Sequence, residues 1–406
     1  MKIFDLMASF SNNEAIIYKS VSGVIYKTYK EFLDDINAVK VSGKYKLIYG
    51  ASKYENIVMQ LACLLNGVIF CNLPQDPTQE YIDSITNKLD NAIIPNGTTH
   101  IVASSGTTGT PKLIALNFDK MLLTVDKQAD LLGVNKDSIV SCFLSLSFDA
   151  SLSDLYIAIT RGATVFLTDT KLKSIRGIQS EIKKYRITHT DLPPSYLKFI
   201  NFKDTFIQAL VFGGEIADKY EVQNIRKHGI KCFNSYGPTE NSISAFMCLV
   251  TDNWESNDIG SPLFSNSHKI IDNVLYLSSG LFLGYINDDE LTKNKTINLD
   301  GIDYFNTGDK VEYKNGSMFY HGRIDRQFKR NGVLIIPEEL ESVARNIGCT
   351  YAIVTNTSPY TLIYTANIDR QDLLTEIKKY IPSSKLPTLL LQKELGLSVN
   401  GKTKLQ

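Results

Sequence analysis

Apolar positions along this chain fall into short runs of two different periods. Ile101-Val102-Ala103 and Leu113-Ile114-Ala115-Leu116 are continuous apolar runs of strand length, as are Leu47-Ile48-Tyr49 and Val68-Ile69-Phe70. Helical signals lie between such runs. Thr28-Tyr29-Lys30-Glu31 has capping-box spacing and predicts a helix to about Val39. A second helix, over about 55–65, ends at Gly67 in the position of a left-handed cap. Asn117 caps a third, which stops at Gly133. The alternation continues with strand 164–167, helix 179–185, strands 188–192 and 209–212, helix 218–228 and strand 230–233. Strands separated by helices of this length predict βαβ units and an α/β fold with parallel-rich sheets.

The tail reads differently. From Asp325 it runs strand, turn (Asn331-Gly332), strand, then a helix with Pro337 in its first turn. Strands over 351–355 and 361–365, a helix near 371–380 and a strand over 388–391 follow. We therefore expect a large N-terminal domain, 1–324, and a small α+β domain, 325–406.

A chain of 406 residues exceeds one ordinary core, which agrees with more than one domain. Lys plus Arg (43) balances Asp plus Glu (43), so no global field favours nucleic acid or an acidic membrane. Six scattered cysteines without C-x-x-C spacing read as reduced thiols of a cytoplasmic protein. Residues 1–10 carry Asp5 within their apolar run and do not read as a signal peptide; no apolar stretch reaches membrane-spanning length.

Between the strands at 101–103 and 113–116 lies Ser104-Ser105-Gly106-Thr107-Thr108-Gly109-Thr110-Pro111-Lys112. Glycines let backbone N–H groups converge on an anion, the hydroxyls add donors, and Lys112 adds a point charge. This predicts phosphate binding, although the Walker spacing is absent. Asn234-Ser235-Tyr236-Gly237-Pro238-Thr239-Glu240 directly follows a strand, where open α/β sheets place ligands. Tyr236 is suited to stack on a base and Glu240 to hold Mg²⁺ with phosphate oxygens. Asp309, just past Gly308, suits ribose hydroxyls; Arg323 and Asp325 stand at the domain boundary, and Lys402 near the end.

Taken in this order, these clusters resemble the adenylate-forming superfamily: acyl-CoA synthetases, luciferase-like enzymes and the adenylation domains of nonribosomal peptide synthetases. The resemblance covers nearly the whole chain in a compact form. It implies that residues 104–112 enclose the phosphates of ATP, with Ser104, Ser105, Gly106, Thr107, Thr108 and Gly109 as ligands. Asn234 would belong to the nucleotide site, Tyr236 would flank the adenine, Thr239 would touch the α-phosphate, and Glu240 would bind Mg²⁺. Asp309 and Arg323 would bind the ribose side. Asp325 would be the hinge of a mobile lid that carries Lys402 to the α-phosphate and the substrate carboxylate. A carboxylate attacking a phosphate meets anion repulsion, which Lys402, Lys112 and Mg²⁺ would relieve.

Phe148-Asp149-Ala150-Ser151 resembles the motif of amino-acid-activating members, in which the Asp pairs with the substrate α-ammonium. By the same resemblance the substrate pocket falls on Asp149, Ala150, Ser153, Asp191, Val211, Gly213, Ser235, Ile243 and Ser244. Two carboxylates in one largely apolar pocket repel unless each meets a cation. With Asp149 on the α-ammonium, Asp191 calls for a cationic side chain: arginine, ornithine or lysine. The alternative is that Asp191 caps the turn before Pro193-Pro194.

The expected activity is that of a stand-alone enzyme, adenylation of a basic amino acid followed by thioester transfer to a separate phosphopantetheinylated carrier protein. A D-alanine–carrier-protein ligase, opposed only by the side-chain pocket, or an acyl-CoA ligase, opposed by Asp149, is the alternative. The second is kept open because Ile336-Pro337-Glu338 looks like the acyl-CoA synthetases and Asn331 stands where peptide-synthetase domains usually carry Arg. A non-catalytic nucleotide-binding homologue would lack groups such as Lys112, Glu240, Asp309 and Lys402, which are all present here.

Overall fold

The computed structural model describes the chain except residues 1, 105–110, 169–174, 279–280, 327, 331–332, 336, 356–359, 382–384, 394, 398–402 and 406. Among the described residues the largest sheet has fourteen strands. Its centre is parallel, in the order Lys231–Tyr236, Ala209–Gly213, His189–Asp191, Ile139–Cys142, Thr164–Leu167. Along these strands alternate residues enter two different cores. Val140, Val165, Ala209 and Val211 join one; Phe166, Leu210 and Phe212 join the other. A sheet buried on both faces explains why its strands read as unbroken apolar runs.

Helices cover the first face. Tyr29–Ala38 buries Tyr29, Phe32 and Ile36, and Thr28 caps it through the expected capping box. Lys53–Leu65 starts two residues before the expected position, because Ser52 and Glu55 form a second capping box. Phe118–Leu132 is capped by Asn117 and ends at Gly133 in the left-handed conformation. Ala150–Ile159 packs beside it in the same core. The hairpin Glu14–Ser20 and Gly23–Thr28, which the sequence did not suggest, adds to one edge beside Thr164–Leu167.

Beyond Tyr236 the sheet becomes antiparallel, which departs from simple βαβ alternation. Phe246–Leu249, Asp258–Pro262, Ser317–Arg323, Ile302–Lys314, Val274–Leu277 and His268–Ile271 follow in that spatial order. Their hairpins turn on residue pairs with positive φ: Asp272-Asn273, Asp300-Gly301 and Asn315-Gly316. Two consecutive left-handed residues match the twist of paired strands, which is why Asn, Asp and Gly stand there. A second, five-stranded sheet runs Phe282–Tyr285, Lys112–Leu116, His100–Ser104, Ile69–Asn72, Tyr45–Ile48.

Residues from Ile335 to Leu390 build a hydrophobic core of their own. It joins the strands Tyr351–Thr355, Thr361–Thr365 and Leu389–Gln392 to the helices Pro337–Asn346 and Arg370–Ile377. Arg326 ties into this unit through Glu338 (2.9 Å) and Glu341 (2.6 Å). The expected Asn331-Gly332 turn lies outside the described residues; Phe328–Arg330 and Val333–Ile335 pair antiparallel on either side of it. The six cysteines are buried and free. Among the described residues no helix is long and apolar enough to cross a membrane.

Candidate active site

Strand pairing places the first cluster. Asp309 and Arg323 stand opposite each other on neighbouring antiparallel strands, beside an irregularity in their register. Gly308, with φ of +75°, sets the Asp309 side chain beneath the end of Lys231–Tyr236. There the Tyr236 hydroxyl donates to Asp309 Oδ2. Arg323 Nη1 lies 3.5 Å from Asp309 Oδ1 and donates to the Thr307 carbonyl at 3.2 Å. Its other edge grips Asp325, with Nε at 2.9 Å and Nη2 at 2.6 Å. Asp309 is 5% exposed, and burial pushes its pKa up to about 6 against the opposing pull of Tyr236 and Arg323. Asp325, half in water, is held below the ordinary carboxylate range by Arg323.

A second cluster forms beside it. A Cβ at Gly237 would lie 1.8 Å from the Ile243 carbonyl oxygen, so only glycine lets this turn fold back. The turn leads into the short 3-10 segment Thr239–Asn241, where Glu240 Oε1 accepts from the Tyr285 hydroxyl at 2.5 Å. Tyr285 ends the strand paired with Lys112–Leu116, and Lys112 Nζ lies 5.8 Å from the centre of its ring. The Glu240 charge acts on Asp309 and the Arg323 charge acts on Tyr285, so the two clusters face one another. Sequence alone did not single out Tyr285, since nothing local marks it; its place follows from the pairing of distant strands.

Of the remaining residues expected on the nucleotide side, Ser104 ends the strand His100–Ser104 directly opposite Lys112. Ser105, Gly106, Thr107, Thr108, Gly109 and Lys402 lie outside the described residues. Asn234 is buried and its Nδ2 donates to the Asp258 carbonyl at 2.8 Å, which ties its strand to the start of Asp258–Pro262.

Of the expected pocket positions, Ser153, Asp191, Val211, Gly213, Ser235 and Ser244 meet at the parallel centre of the large sheet. Asp149 stands at the N-terminus of Ala150–Ile159, its Oδ1 accepting from the Ala150 amide at 2.9 Å. Ser153, one turn on, donates to Gln128 Oε1 (3.0 Å), and Gln128 Nε2 donates to Ser244 Oγ (2.8 Å). Ser244 in turn meets the Ser235 hydroxyl. Gln128 therefore links three expected pocket residues, and sequence reasoning missed it. Its signal is a long polar side chain among the core-facing positions Met121, Thr124, Val125, Gln128 and Leu132 of one helix. Val211 and Ile243 are buried, and Ala150 is half-buried. A Cβ at Gly213 would lie 2.2 Å from the Ser235 carbonyl oxygen, so the backbone here is closely approached.

Asp191 ends its strand on a small cavity that it lines with Ser153, Asp154 and Val211. It does not cap the following helix, whose N-cap is Pro193 without a side-chain hydrogen bond. Asp154 was not expected. It is 2% exposed and its Oδ2 has no hydrogen-bond partner. Burial first, and then the charge of Asp191, push its pKa far above the ordinary range, and burial raises Asp191 as well. Lys53 opposes the rise at Asp154 while donating to the Cys142 (2.5 Å) and Leu144 (2.8 Å) carbonyls.

A model of the AMP-binding enzyme family matches residues 74–277. The dapdiamide synthesis protein DdaD of Enterobacter agglomerans is 30% identical over 282 residues, 63% of this chain and 48% of that protein. Gramicidin S synthase 1 of Brevibacillus brevis is 30% identical over 265 residues, 60% of this chain and 24% of that protein. The chain thus spans less than half the length of these curated relatives. Klebsiella oxytoca NpsA in complex with 3-hydroxyanthranilyl-AMSN superposes with a TM-score of 0.83 at 16% identity, over 99% of this chain and 97% of that one. Bacillus subtilis O-succinylbenzoate coenzyme A synthetase, in complex with ATP and a magnesium ion, gives 0.83 at 18% identity, over 98% and 97%. At such identities the likeness is one of fold.

Proposed function

Because the chain belongs to the AMP-binding enzyme family, we propose that it adenylates an amino acid with ATP and passes the aminoacyl group to a carrier-protein thiol. In the first half-reaction a substrate carboxylate oxygen bonds to the α-phosphorus and the bond to pyrophosphate breaks. In the second, a phosphopantetheine sulfur displaces AMP from the carbonyl carbon. The observation that carries this reading is the buried Tyr236–Asp309–Arg323 cluster facing Glu240 and Lys112. A carboxylate in so dry a place is suited to a pair of ribose hydroxyls, which supply the donors that water would otherwise give.

The residues present fit Mg²⁺. Among the described residues no three ligating side chains converge, and a single oriented carboxylate with phosphate oxygens suits this ion. When bound, the ion offsets charge on the phosphates. Glu240 would hold it, oriented by Tyr285, while Lys112 would supply a further positive charge. Lys402 is assigned the α-phosphate and the substrate carboxylate, and Thr239 the α-phosphate. Residues from Asp325 onward are assigned the role of a lid that withdraws Lys402 before thioester transfer, which lets one site serve two half-reactions.

Asp149 is assigned the substrate α-ammonium, and Asp191 the side chain of a basic amino acid. The second reading, an acyl-CoA ligase, is favoured by the Pro337-Glu338 segment. ATP–pyrophosphate exchange measured against every common amino acid tests the proposal. Exchange is expected to peak with a basic one. Turnover restricted to aryl or fatty acids with CoA would replace it by the second reading.

A further inference from the structure

We propose that Asp154 and Asp191 together form a seat for the side-chain cation of the substrate, and that this seat admits a primary ammonium and not a guanidinium. The inference rests on the amino-acid-activating reading above and adds to it a second carboxylate and a size limit.

The two carboxylates come from different elements, Asp154 from the helix Ala150–Ile159 and Asp191 from the end of His189–Asp191. They line one cavity, with Ser153, Ile157, His189 and Val211 among its walls. One oxygen of Asp154 takes a backbone hydrogen bond from Phe143, and Oδ2 takes none. A buried carboxylate oxygen without a donor is costly, so the missing donor belongs in the cavity.

Charge decides what that donor is. Lys53 is the nearby cation, held by two carbonyls. His189 is kept neutral by burial, its Nε2 donating to the Leu132 carbonyl at 3.2 Å. The Cys142 thiol, pushed up to about 11 by burial, is neutral as well. Two carboxylates and one lysine leave the seat one positive charge short. In the free protein a proton held by the pair fills that gap, as the raised pKa of both groups indicates.

Size decides which cation replaces the proton. The space open to the centre of a water-sized sphere is ≈ 10 Å³. That is about the room for one water, and an ammonium is of that size. A guanidinium is a planar fork of three nitrogens with five N–H donors, for which this space is too small. The substrate class is therefore a diamino acid such as ornithine or lysine. Its ammonium arrives with its own protons, so the proton held by the carboxylate pair leaves to solvent as the side chain seats.

Calorimetric titration of ornithine, lysine, arginine and citrulline into the full chain, in two buffers of different ionisation heat near pH 7, tests this. A diamino acid should bind at least about tenfold tighter than arginine and release about one proton. Asp154→Asn should lose about tenfold or more of that affinity and the proton release, with an undiminished Tm because an amide replaces a protonated carboxyl of the same shape. Preference for arginine, absence of proton release from the wild type, or an unaffected Asp154→Asn would each overturn the inference. The wild-type measurements decide even if the variant does not fold. Pyrophosphate exchange separates the two levels. A preference for an apolar amino acid defeats the ammonium seat and leaves adenylation standing, whereas exchange with no amino acid at all defeats both.

Discussion

The Tyr236 hydroxyl donates to the buried carboxylate of Asp309, bringing together residues 73 positions apart. This bond opposes burial, which pushes the Asp309 pKa up to about 6. Tyr236→Phe removes the opposing donor and should raise that pKa further. If ionised Asp309 holds the ribose, kcat/KM for ATP should fall as the pH drops through about 6. In Tyr236→Phe the fall should begin at higher pH. A pH–rate profile with the same midpoint in both proteins would detach Asp309 from nucleotide binding.

Burial of Asp309 also has a consequence for stability. Below pH 3.8 the carboxyl is protonated folded and unfolded, and contributes no difference. Between that value and about 6 only the unfolded chain gives up its proton, so the burial penalty grows as pH rises and is complete above about 6. Asp309→Asn should therefore stabilise the ligand-free protein at pH 8 and do little at pH 3.5. The gain is on the order of 2–3 kcal/mol, since each tenfold change in an acid's ionisation constant is worth about 1.36 kcal/mol. Denaturant titrations at the two pH values check it.

Glu240 is aimed by Tyr285, whose hydroxyl lies 2.5 Å away. Tyr285→Phe should raise the KM for magnesium-ATP with a smaller effect on kcat, by about 1.5–3 kcal/mol, typical of a hydrogen bond to a charged group. Glu240→Gln should be more damaging. Steady-state exchange assays at varied Mg²⁺ separate these effects, and equal KM values in wild type and Tyr285→Phe would remove Tyr285 from the metal side.

Gly237 has no room for a side chain, with the Ile243 carbonyl oxygen 1.8 Å from a Cβ. Gly237→Ala must move backbone and should cost about 1–3 kcal/mol by overpacking. A lower Tm together with a displaced Glu240, read as weakened ATP binding, is the expected result.

The lid proposal is tested by splitting the half-reactions. Lys402→Ala should abolish pyrophosphate exchange yet transfer a supplied aminoacyl adenylate to the carrier. Asp325→Pro, which fixes φ at the hinge, should do the reverse. Similar losses in both half-reactions for Lys402→Ala would mean that the lysine is not withdrawn. Supplied carrier protein and CoA in parallel identify the acceptor, with loading of the carrier expected to be the faster.

Much of the parallel half of the fold was legible because its strands are buried on both faces and helices such as Tyr29–Ala38 and Phe118–Leu132 carry their own caps, at Thr28 and Asn117. The strand Ile139–Cys142 and the helix Ala150–Ile159 were passed over. The antiparallel half was passed over although its turns are marked: Asp272-Asn273 and Asn315-Gly316 are two-residue hairpin signals. Among site residues, Tyr236, Glu240, Asp309 and Arg323 lie in short motifs whose spacing is visible. Tyr285, Gln128, Lys53 and Asp154 are not, because each acquires its neighbours through pairing between distant segments. Asp154 in particular looks like an ordinary polar position until the helix is seen to bury both of its faces.

Arg323 holds Asp309 and Asp325 with one rigid fork. A guanidinium is planar, so a tilt that improves its contact with one carboxylate disturbs the other. Asp309 and Asp325 are therefore not independent ligands of that cation. Whatever engages Asp309 changes the work needed to release Asp325, and by reciprocity any motion at Asp325 changes affinity at Asp309 by the same factor. If Asp309 holds the nucleotide and Asp325 is the hinge, as proposed above, nucleotide occupancy and lid orientation become, through this one side chain, two readings of a single free energy.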